Sequence, residues 1–206
     1  LTHILLVISQ PVVVGAWCTL CLGAAAVMLL MIPFAVDEVI AMAQFLRERA
    51  RAGKSLWRTF WVGDTMDGGG PDERTPVYGA SAGAHLPPAV WGVTLPWTLA
   101  ASIVVGLWLM FAPAMFGSDG RAASSDHVVG ALIVTVAAIS TAEVVRAFRF
   151  LNLFLGAWLL VAPFVVSGAS GAGRWVTIGA GVLVIVLALP RGPVRERYAA
   201  WDRMIR

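Results

Sequence analysis

The chain has 206 residues, of which 59% are hydrophobic and 13% are charged, and its formal net charge is +3. An ordinary soluble domain carries about twice that charged fraction, so this composition argues against a soluble enzyme, a disordered tail and a nucleic-acid binder. A total of 2 cysteines excludes a disulfide-rich secreted scaffold. The length accommodates five or six membrane spans of about 20 residues each.

The apolar runs predict an all-α, polytopic transmembrane helical bundle with one partial N-terminal span and five full spans. The first run, Ile4–Val14, has about eleven residues, which at about 1.5 Å each cannot cross a hydrocarbon core of about 30 Å. We therefore expect it to be the last part of a span that begins upstream of Leu1. The five full spans are predicted at residues 18–36, 97–116, 128–145, 151–166 and 175–189.

The segment after the first full span is amphipathic and basic. One helical face holds Val39, Met42, Phe45 and Leu46. This pattern favours either a cytoplasmic extension of the preceding span or an interfacial amphipathic helix. Three aromatic residues near Lys54 and Arg58 suit the lipid headgroup layer: Trp57, Phe60 and Trp61. Anchoring to membrane lipids is the simplest role, and a specific lipid or protein site is the alternative.

A Gly-, Pro- and Asp-rich stretch separates this region from the second half of the chain. It includes GDTMDGGGPDERTP, which begins at Gly63, and composition of this kind is typical of a flexible linker. We predict that the linker covers residues 63–94.

The basic residues predict the orientation of the bundle. If the segment 37–96 lies inside, Arg121 and Arg174 alone among the 15 Lys and Arg residues fall outside. This asymmetry agrees with the positive-inside rule. It makes the tail 191–206 cytoplasmic and puts Cys18 and Cys21 on the outer, oxidising side of the membrane.

The second half of the chain repeats itself. The stretch GLWLMFAP at 106–113 reappears as GAWLLVAP at 156–163. Gly130 and Gly179 continue the match within one residue. We predict two units, each made of two spans joined by a short outer loop. Gly106 and Gly156 lack side chains and would allow a neighbouring helix to approach closely.

This repeat resembles the bacterial SPW repeat, which is named for a Ser-Pro-Trp signature. The first unit has Leu95, Pro96 and Trp97 in that place, so leucine replaces the serine, and the second unit lacks the signature. The resemblance covers about residues 95–190 and implies an architecture of helical hairpins, without a biochemical role.

Few polar residues lie near these spans. We expect Asp126 and His127 at the outer start of a helix, with Asp126 as its N-cap. Glu143 is expected to pair with Arg146 at i,i+3 spacing, and a proton relay is its alternative role.

Cys18 and Cys21 form a CxxC motif, the one constellation in the chain that carries chemistry. On a helix, residues i and i+3 share a face, and the positive end of the helix dipole lowers a thiol pKa. A redox pair is the favoured interpretation, while two unreactive buried cysteines and a zinc site are the alternatives. Zinc needs two further ligands, and neither His3 nor His85 has a partner at ligand spacing, so we predict no metal.

The stretch QPVVVGAWCTLCL at 10–22 looks like the last part of the vitamin K epoxide reductase family, in which a CxxC opens the fourth helix of a four-helix bundle. The preceding helix ends just before the motif, as Ile4–Val14 does here. The resemblance covers about residues 1–36, and DEVIAMAQFL at 37–46 is similar to the segment after the motif in bacterial members.

That resemblance implies disulfide formation coupled to the reduction of a quinone, either ubiquinone or menaquinone. Cys21 would face the quinone, and Cys18 would exchange with a shuttle cysteine pair that receives electrons from a thioredoxin-like periplasmic dithiol protein. The chain departs from the family pattern because it has no shuttle cysteines and lacks the first two helices and part of the third. Ala25 lies near the place of an aromatic residue that often lines the quinone pocket.

These observations predict four regions in a multi-pass protein of the bacterial inner membrane. Residues 1–62 are the C-terminal part of a redox domain with its cytoplasmic helix, 63–94 the linker, 95–190 the SPW-type module and 191–206 the basic tail. Upstream helices or a second chain are expected to complete the redox domain. The rival interpretation is a non-catalytic membrane scaffold or partner-binding module. A transporter is disfavoured because almost no ionisable residue falls in mid-span.

Overall fold

The computed structural model describes residues 2–65, 79–81, 83–84 and 90–195. His85, the side chain of His3, most of the predicted linker and the 196–206 part of the predicted tail lie outside the described residues. The helices are α1 Thr2–Ser9, α2 Thr19–Arg51, α3 Leu56–Val62, α4 Trp97–Phe116, α5 Gly120–Ile139, α6 Leu151–Val165 and α7 Gly171–Ala188. A π-helical segment, Gln10–Val14, continues α1, and a 3-10 segment, Glu143–Phe150, precedes α6.

The prediction of an all-α polytopic helical bundle is confirmed. Among the described residues, five helical segments are long and apolar enough to cross a membrane, with the 3-10 segment and α6 counted together as Glu143–Val165, and Ile4–Val14 is a shorter apolar helix, as expected. The described residues contain no strand, and an isolated β-bridge joins Val93 to Ala142.

Helix α2 continues without interruption far beyond the predicted span. Its 33 residues correspond to about 50 Å of helix, so the amphipathic segment is an extension of the span as far as Arg51 and not a separate interfacial helix. Pro33 lies inside α2, in a membrane-spanning helix where proline is tolerated. The short α3 carries the exposed residues Trp57, Phe60 and Trp61.

The predicted span 128–145 is displaced toward the N-terminus, because α5 runs from Gly120 to Ile139. At its end, the Ser140 and Thr141 hydroxyls donate hydrogen bonds to the carbonyls of Val136 and Ala138, each at 2.7 Å. Side-chain hydrogen bonds of this kind compete with helix propagation. The chain then turns into the 3-10 segment.

Glycine contacts hold each hairpin of the repeat together. A Cβ atom built on Gly106 would lie 2.8 Å from the Gly130 carbonyl oxygen, and one on Gly156 would lie 2.9 Å from the Gly181 carbonyl oxygen. The expected close approach at Gly106 and Gly156 is therefore confirmed. Gly179, however, faces open space, so its proposed match to Gly130 is wrong. Gly181 takes that place because the loop between α6 and α7 shifts the offset of the second helices to 51 residues.

The two hairpins share one apolar core. It contains equivalent residues from both repeat units, and its members are Leu109, Val129, Ile133, Leu159, Ala180 and Val184. At one end of the bundle, the loop after α4 meets the loop after α6, where the Asp119 N–H donates to the Gly168 carbonyl at 3.0 Å.

The opposite end of the bundle is closed by the chain segments on either side of the repeat. The Thr94 N–H donates to the Thr141 carbonyl at 2.9 Å, and the Glu143 N–H donates to the Gly92 carbonyl at 2.8 Å. The prediction of a flexible linker up to residue 94 is therefore wrong for its last residues, which are bonded to the bundle. Helices α1 and α2 both pack against α5, and α2 also packs against the 3-10 segment, with Val36 and Ile40 of α2 at the apolar contact.

Candidate functional site

The CxxC motif lies where the chain enters α2. Cys18 has extended backbone angles and is the N-cap residue, and its Sγ accepts a hydrogen bond from the Cys21 N–H at 3.4 Å. The Cys18 N–H donates to Oε1 of the buried Gln10 at 2.7 Å. Gly15 ends the preceding π-helical segment with a left-handed φ of 71°, a conformation that favours glycine. This turn fixes the first cysteine at the positive end of the α2 dipole.

The two sulfur atoms have different surroundings. The Cys18 side chain is exposed and Cys21 is half-buried, and both thiols are free. The hydrogen bond from the Cys21 N–H, followed by one from the Cys21 thiol, lowers the pKa of Cys18 below its ordinary value. Because the thiolate is the reactive form, Cys18 is the sulfur that is both accessible and activated.

An apolar pocket of about 530 Å³ has Leu22, the residue after Cys21, in its wall. It lies between the N-terminal helices and the first repeat hairpin, and α1, α2, α4 and α5 each contribute to its wall. Ala25, near the place where the family resemblance puts an aromatic residue, lines the pocket, and Phe111 of α4 supplies an aromatic ring to its wall. The volume falls in the range of pockets that bind small organic ligands, about 300–1,000 Å³. The sequence alone did not identify Phe111 as a site residue, because it lies in the repeat, far along the chain from the motif.

An aromatic group connects the motif to this pocket. The Trp17 ring lies 5.1 Å from the His127 imidazole and 5.6 Å from the Phe111 ring, measured between centroids. His127 is buried, its Nδ1 lies 3.4 Å from the Met110 carbonyl oxygen, and its Nε2 has no hydrogen-bond partner among the described residues. The structure therefore brings His127 beside the motif, a proximity that the sequence alone did not reveal.

The prediction that Asp126 caps a helix is wrong. Helix α5 begins at Gly120, with Asp119 as its N-cap residue, so Asp126 lies two turns inside the helix. Its carboxylate is buried and accepts a hydrogen bond from the Thr177 hydroxyl of α7 at 2.8 Å. Asp126 thus bridges the two hairpins.

Glu143, Arg146 and Arg149 lie buried at the end of the bundle opposite to the motif. The Arg195 N–H donates to the Glu143 carboxylate at 3.0 Å, Arg146 donates to the Thr94 hydroxyl, and Arg149 Nε donates to the Ala188 carbonyl at 3.1 Å. The Glu143–Arg146 pair stays a prediction. Among the residues that the structure describes, no group of three or more His, Cys, Asp or Glu side chains could hold a metal ion.

Comparison with protein families identifies part of the chain. Residues 96–191 match the family model of the SPW repeat domain, which supports the SPW-type module predicted at 95–190. No curated protein and no solved structure matches the chain. With five helices able to span a bilayer, this repeat domain makes the chain a multi-pass membrane protein.

Proposed function

We propose that the chain acts as a membrane thiol–disulfide oxidoreductase similar to the vitamin K epoxide reductase family, in which Cys18 and Cys21 couple disulfide formation to quinone reduction. The observation that carries this proposal is the arrangement of the two sulfurs. An exposed thiol with a lowered pKa, Cys18, is hydrogen-bonded to a second cysteine that directly precedes Leu22, a residue in the wall of an apolar pocket between membrane helices.

The cysteine chemistry depends on these positions. A thiolate of the substrate dithiol attacks Sγ of Cys18 in the Cys18–Cys21 disulfide, and the Cys21 sulfur leaves with the electron pair. The second substrate thiolate attacks the mixed disulfide and releases Cys18. The hydrogen bond from the Cys21 N–H stabilises the negative charge on Cys18, so Cys18 is a good leaving group in this step. The substrate becomes a disulfide, and the chain retains two electrons and two protons as a dithiol.

Reoxidation of that dithiol requires a two-electron acceptor that is soluble in the bilayer. A bound quinone, ubiquinone or menaquinone, would supply this acceptor by taking up the two electrons and two protons that are released when Cys18 and Cys21 form their disulfide again. The pocket fits such a molecule because its wall is almost wholly apolar, as an isoprenoid tail requires, and because Cys21 precedes Leu22 of that wall.

The proposed location is the inner membrane of a bacterium, with the motif on the periplasmic side. Arg121 and Arg174 lie near the ends of the hairpin loops, which are close to the motif, whereas Arg146, Arg149 and Arg195 lie at the opposite end of the bundle. The positive-inside rule assigns the second end to the cytoplasm. A thioredoxin-like periplasmic dithiol protein is the proposed electron donor, and upstream helices or a second chain would complete the redox domain.

The test uses the full chain reconstituted in liposomes that contain ubiquinone or menaquinone, with dithiothreitol as the dithiol. We expect quinol formation, monitored by ultraviolet absorbance, to be lost in Cys18→Ser and in Cys21→Ser and to persist in Thr19→Ser, which changes an exposed residue between them. If wild-type protein and both cysteine variants form quinol at the same rate, the proposal is wrong. That result would favour the non-catalytic scaffold.

Labelling of intact cells locates the motif. A membrane-impermeant maleimide is expected to label Cys18 only after reduction with an external dithiol, because the resting pair would be a disulfide facing the periplasm. Labelling without prior reduction contradicts the redox role, and protection in intact cells together with labelling in inverted vesicles contradicts the orientation.

A further inference from the structure

We infer that the elbow between α2 and α3, residues 43–64, binds an anionic phospholipid. The phosphate lies on the guanidinium groups of Arg47 and Arg51, and the apolar part of the lipid lies in the groove beside them. This site uses neither cysteine, so it stands apart from the proposed redox chemistry. Three features support it: the fixed fold of the elbow, the groove between its helices, and its positive charge at the depth of the lipid headgroups.

The elbow is held in one conformation by its own ion pairs. After α3, the Asp64 carboxylate lies 2.9 Å from Nζ of Lys54 and 3.6 Å from Nη1 of Arg49. Nη1 of Arg49 also donates a hydrogen bond to the Thr65 carbonyl at 2.9 Å. Arg49 and Thr59 of α3 are both buried. Helix α3 is therefore folded back onto the end of α2, and a groove of defined shape lies between them.

This groove has a volume of about 600 Å³ and a largely apolar wall. One face of α2 supplies small and aliphatic side chains at i, i+3 and i+7 spacing: Ala43, Leu46 and Ala50. Arg47 adds a guanidinium group from the same face, and Trp57 and Phe60 add aromatic rings from α3. Both rings are exposed, so the groove is open to the surrounding membrane. An apolar wall with one cation beside it suits a phospholipid better than a soluble anion.

The depth of the elbow matches that of the lipid headgroups. Helix α2 contacts the segment after α5 through Val36 and Ile40, at the end of the bundle where α4 begins with the exposed Trp97. Tryptophan at a helix end is typical of the membrane interface. Arg47 comes seven residues after Ile40, which is about 10 Å along the helix. Since the polar layer on each side of the hydrocarbon core is about 5–8 Å thick, the long Arg47 side chain reaches the phosphates.

The charge of the elbow calls for an anion. Basic residues outnumber acidic ones, and the carboxylates belong to Glu48 and Asp64, of which Asp64 is already ion-paired. Arg47 and Arg51 are exposed, lie one turn apart on α2, and have no side-chain partner in the described part of the chain. A guanidinium group binds phosphate oxygens through paired hydrogen bonds. The orientation proposed above places the elbow at the cytoplasmic leaflet, whose anionic lipids attract basic segments next to membrane helices.

Lipid binding is measured by native mass spectrometry of the full chain, titrated in detergent with dioleoylphosphatidylglycerol or dioleoylphosphatidylcholine. We expect tighter binding of phosphatidylglycerol. Replacing Arg47 and Arg51 with alanine should weaken it about 30-fold, because each basic residue near an anionic surface contributes about a fivefold factor. Replacing Arg121 and Arg174 with alanine removes the same charge at the opposite end of the bundle and should leave the affinity unchanged. Equal losses in the two double variants, or a wild-type affinity in the first, would overturn the inference.

A second pair of variants separates the groove from diffuse surface charge. Ala50→Trp fills the groove and keeps both guanidinium groups, and it should weaken phosphatidylglycerol binding about tenfold, as expected if about two methylene groups of the lipid lose their contact. Ala41→Trp, on the opposite face of α2, is the matched control, and circular dichroism checks that both variants fold. A wild-type affinity in Ala50→Trp contradicts binding in the groove. Lipid-free dimers that dissociate in Ala50→Trp would assign the groove to a second copy of the chain and would also overturn the inference.

Discussion

Replacing Gly130 with alanine tests the packing on which the repeat depends. The new Cβ would lie 2.5 Å from the Gly106 carbonyl oxygen, whereas ordinary van der Waals contact begins at 3.4 Å. Because the obstructing atom belongs to the backbone of α4, the two helices must separate by close to 1 Å. Overpacking of this kind costs about 1–3 kcal/mol. The higher helix propensity of alanine offsets up to about 1 kcal/mol of that cost.

Gly179 provides a matched control for this substitution. It lies in a membrane helix as Gly130 does, but a Cβ there meets nothing within 4 Å. We therefore expect Gly179→Ala to be neutral or to stabilise the chain by about 0.5–1 kcal/mol, and Gly130→Ala to destabilise it. Unfolding of both variants in mixed detergent micelles of increasing sodium dodecyl sulfate content gives the difference. Equal stability of the two variants would refute the inferred helix contact.

Three single contacts give further predictions. In Cys21→Ser, the rate of Cys18 alkylation by iodoacetamide is measured as a function of pH. Its midpoint should lie below the ordinary thiol pKa, because the N–H of residue 21 still donates to Sγ of Cys18. A midpoint at or above the ordinary value contradicts this prediction. Thr177→Val removes the hydrogen bond to the buried Asp126 carboxylate and should destabilise the chain by about 1–3 kcal/mol, with Thr177→Ser near wild type in the same detergent titration. Asp64→Asn removes the carboxylate that lies 2.9 Å from the Lys54 ammonium, so trypsin should cleave after Lys54 faster than in wild type, and an unchanged rate would show that this ion pair does not restrain the segment.

The sequence predicts the spans of this protein well because hydropathy alone determines which segments can enter a bilayer. The number of full spans and the repeat of helical hairpins are both readable from it, and both agree with the structure. The ends of the helices are less predictable. Helix α5 starts at Gly120, within a polar stretch, because Asp126 and His127 are buried by neighbouring helices, and hydropathy cannot anticipate such tertiary burial.

The candidate site could be predicted only in part. The CxxC spacing and the start of α2 are local properties, and they locate Cys18 as an N-cap residue. His127 and Phe111 are more than 90 residues away in the sequence, and their proximity to Trp17 depends on which face of the first hairpin meets α1 and α2. No periodicity within either segment contains that information.

The two repeat units differ at positions where the first hairpin adjoins the motif. Positions in the shared core keep similar apolar residues in both units, as Leu109 and Leu159 show. Where the first unit meets the N-terminal helices, the units differ, because Phe111 corresponds to Val161 and His127 to Ile178 at the offsets of the two hairpins. An apolar residue suffices on a face without a polar neighbour, whereas a buried histidine is retained at a cost unless it has a partner. These two differences lie where the first hairpin contacts Trp17, the residue directly before Cys18.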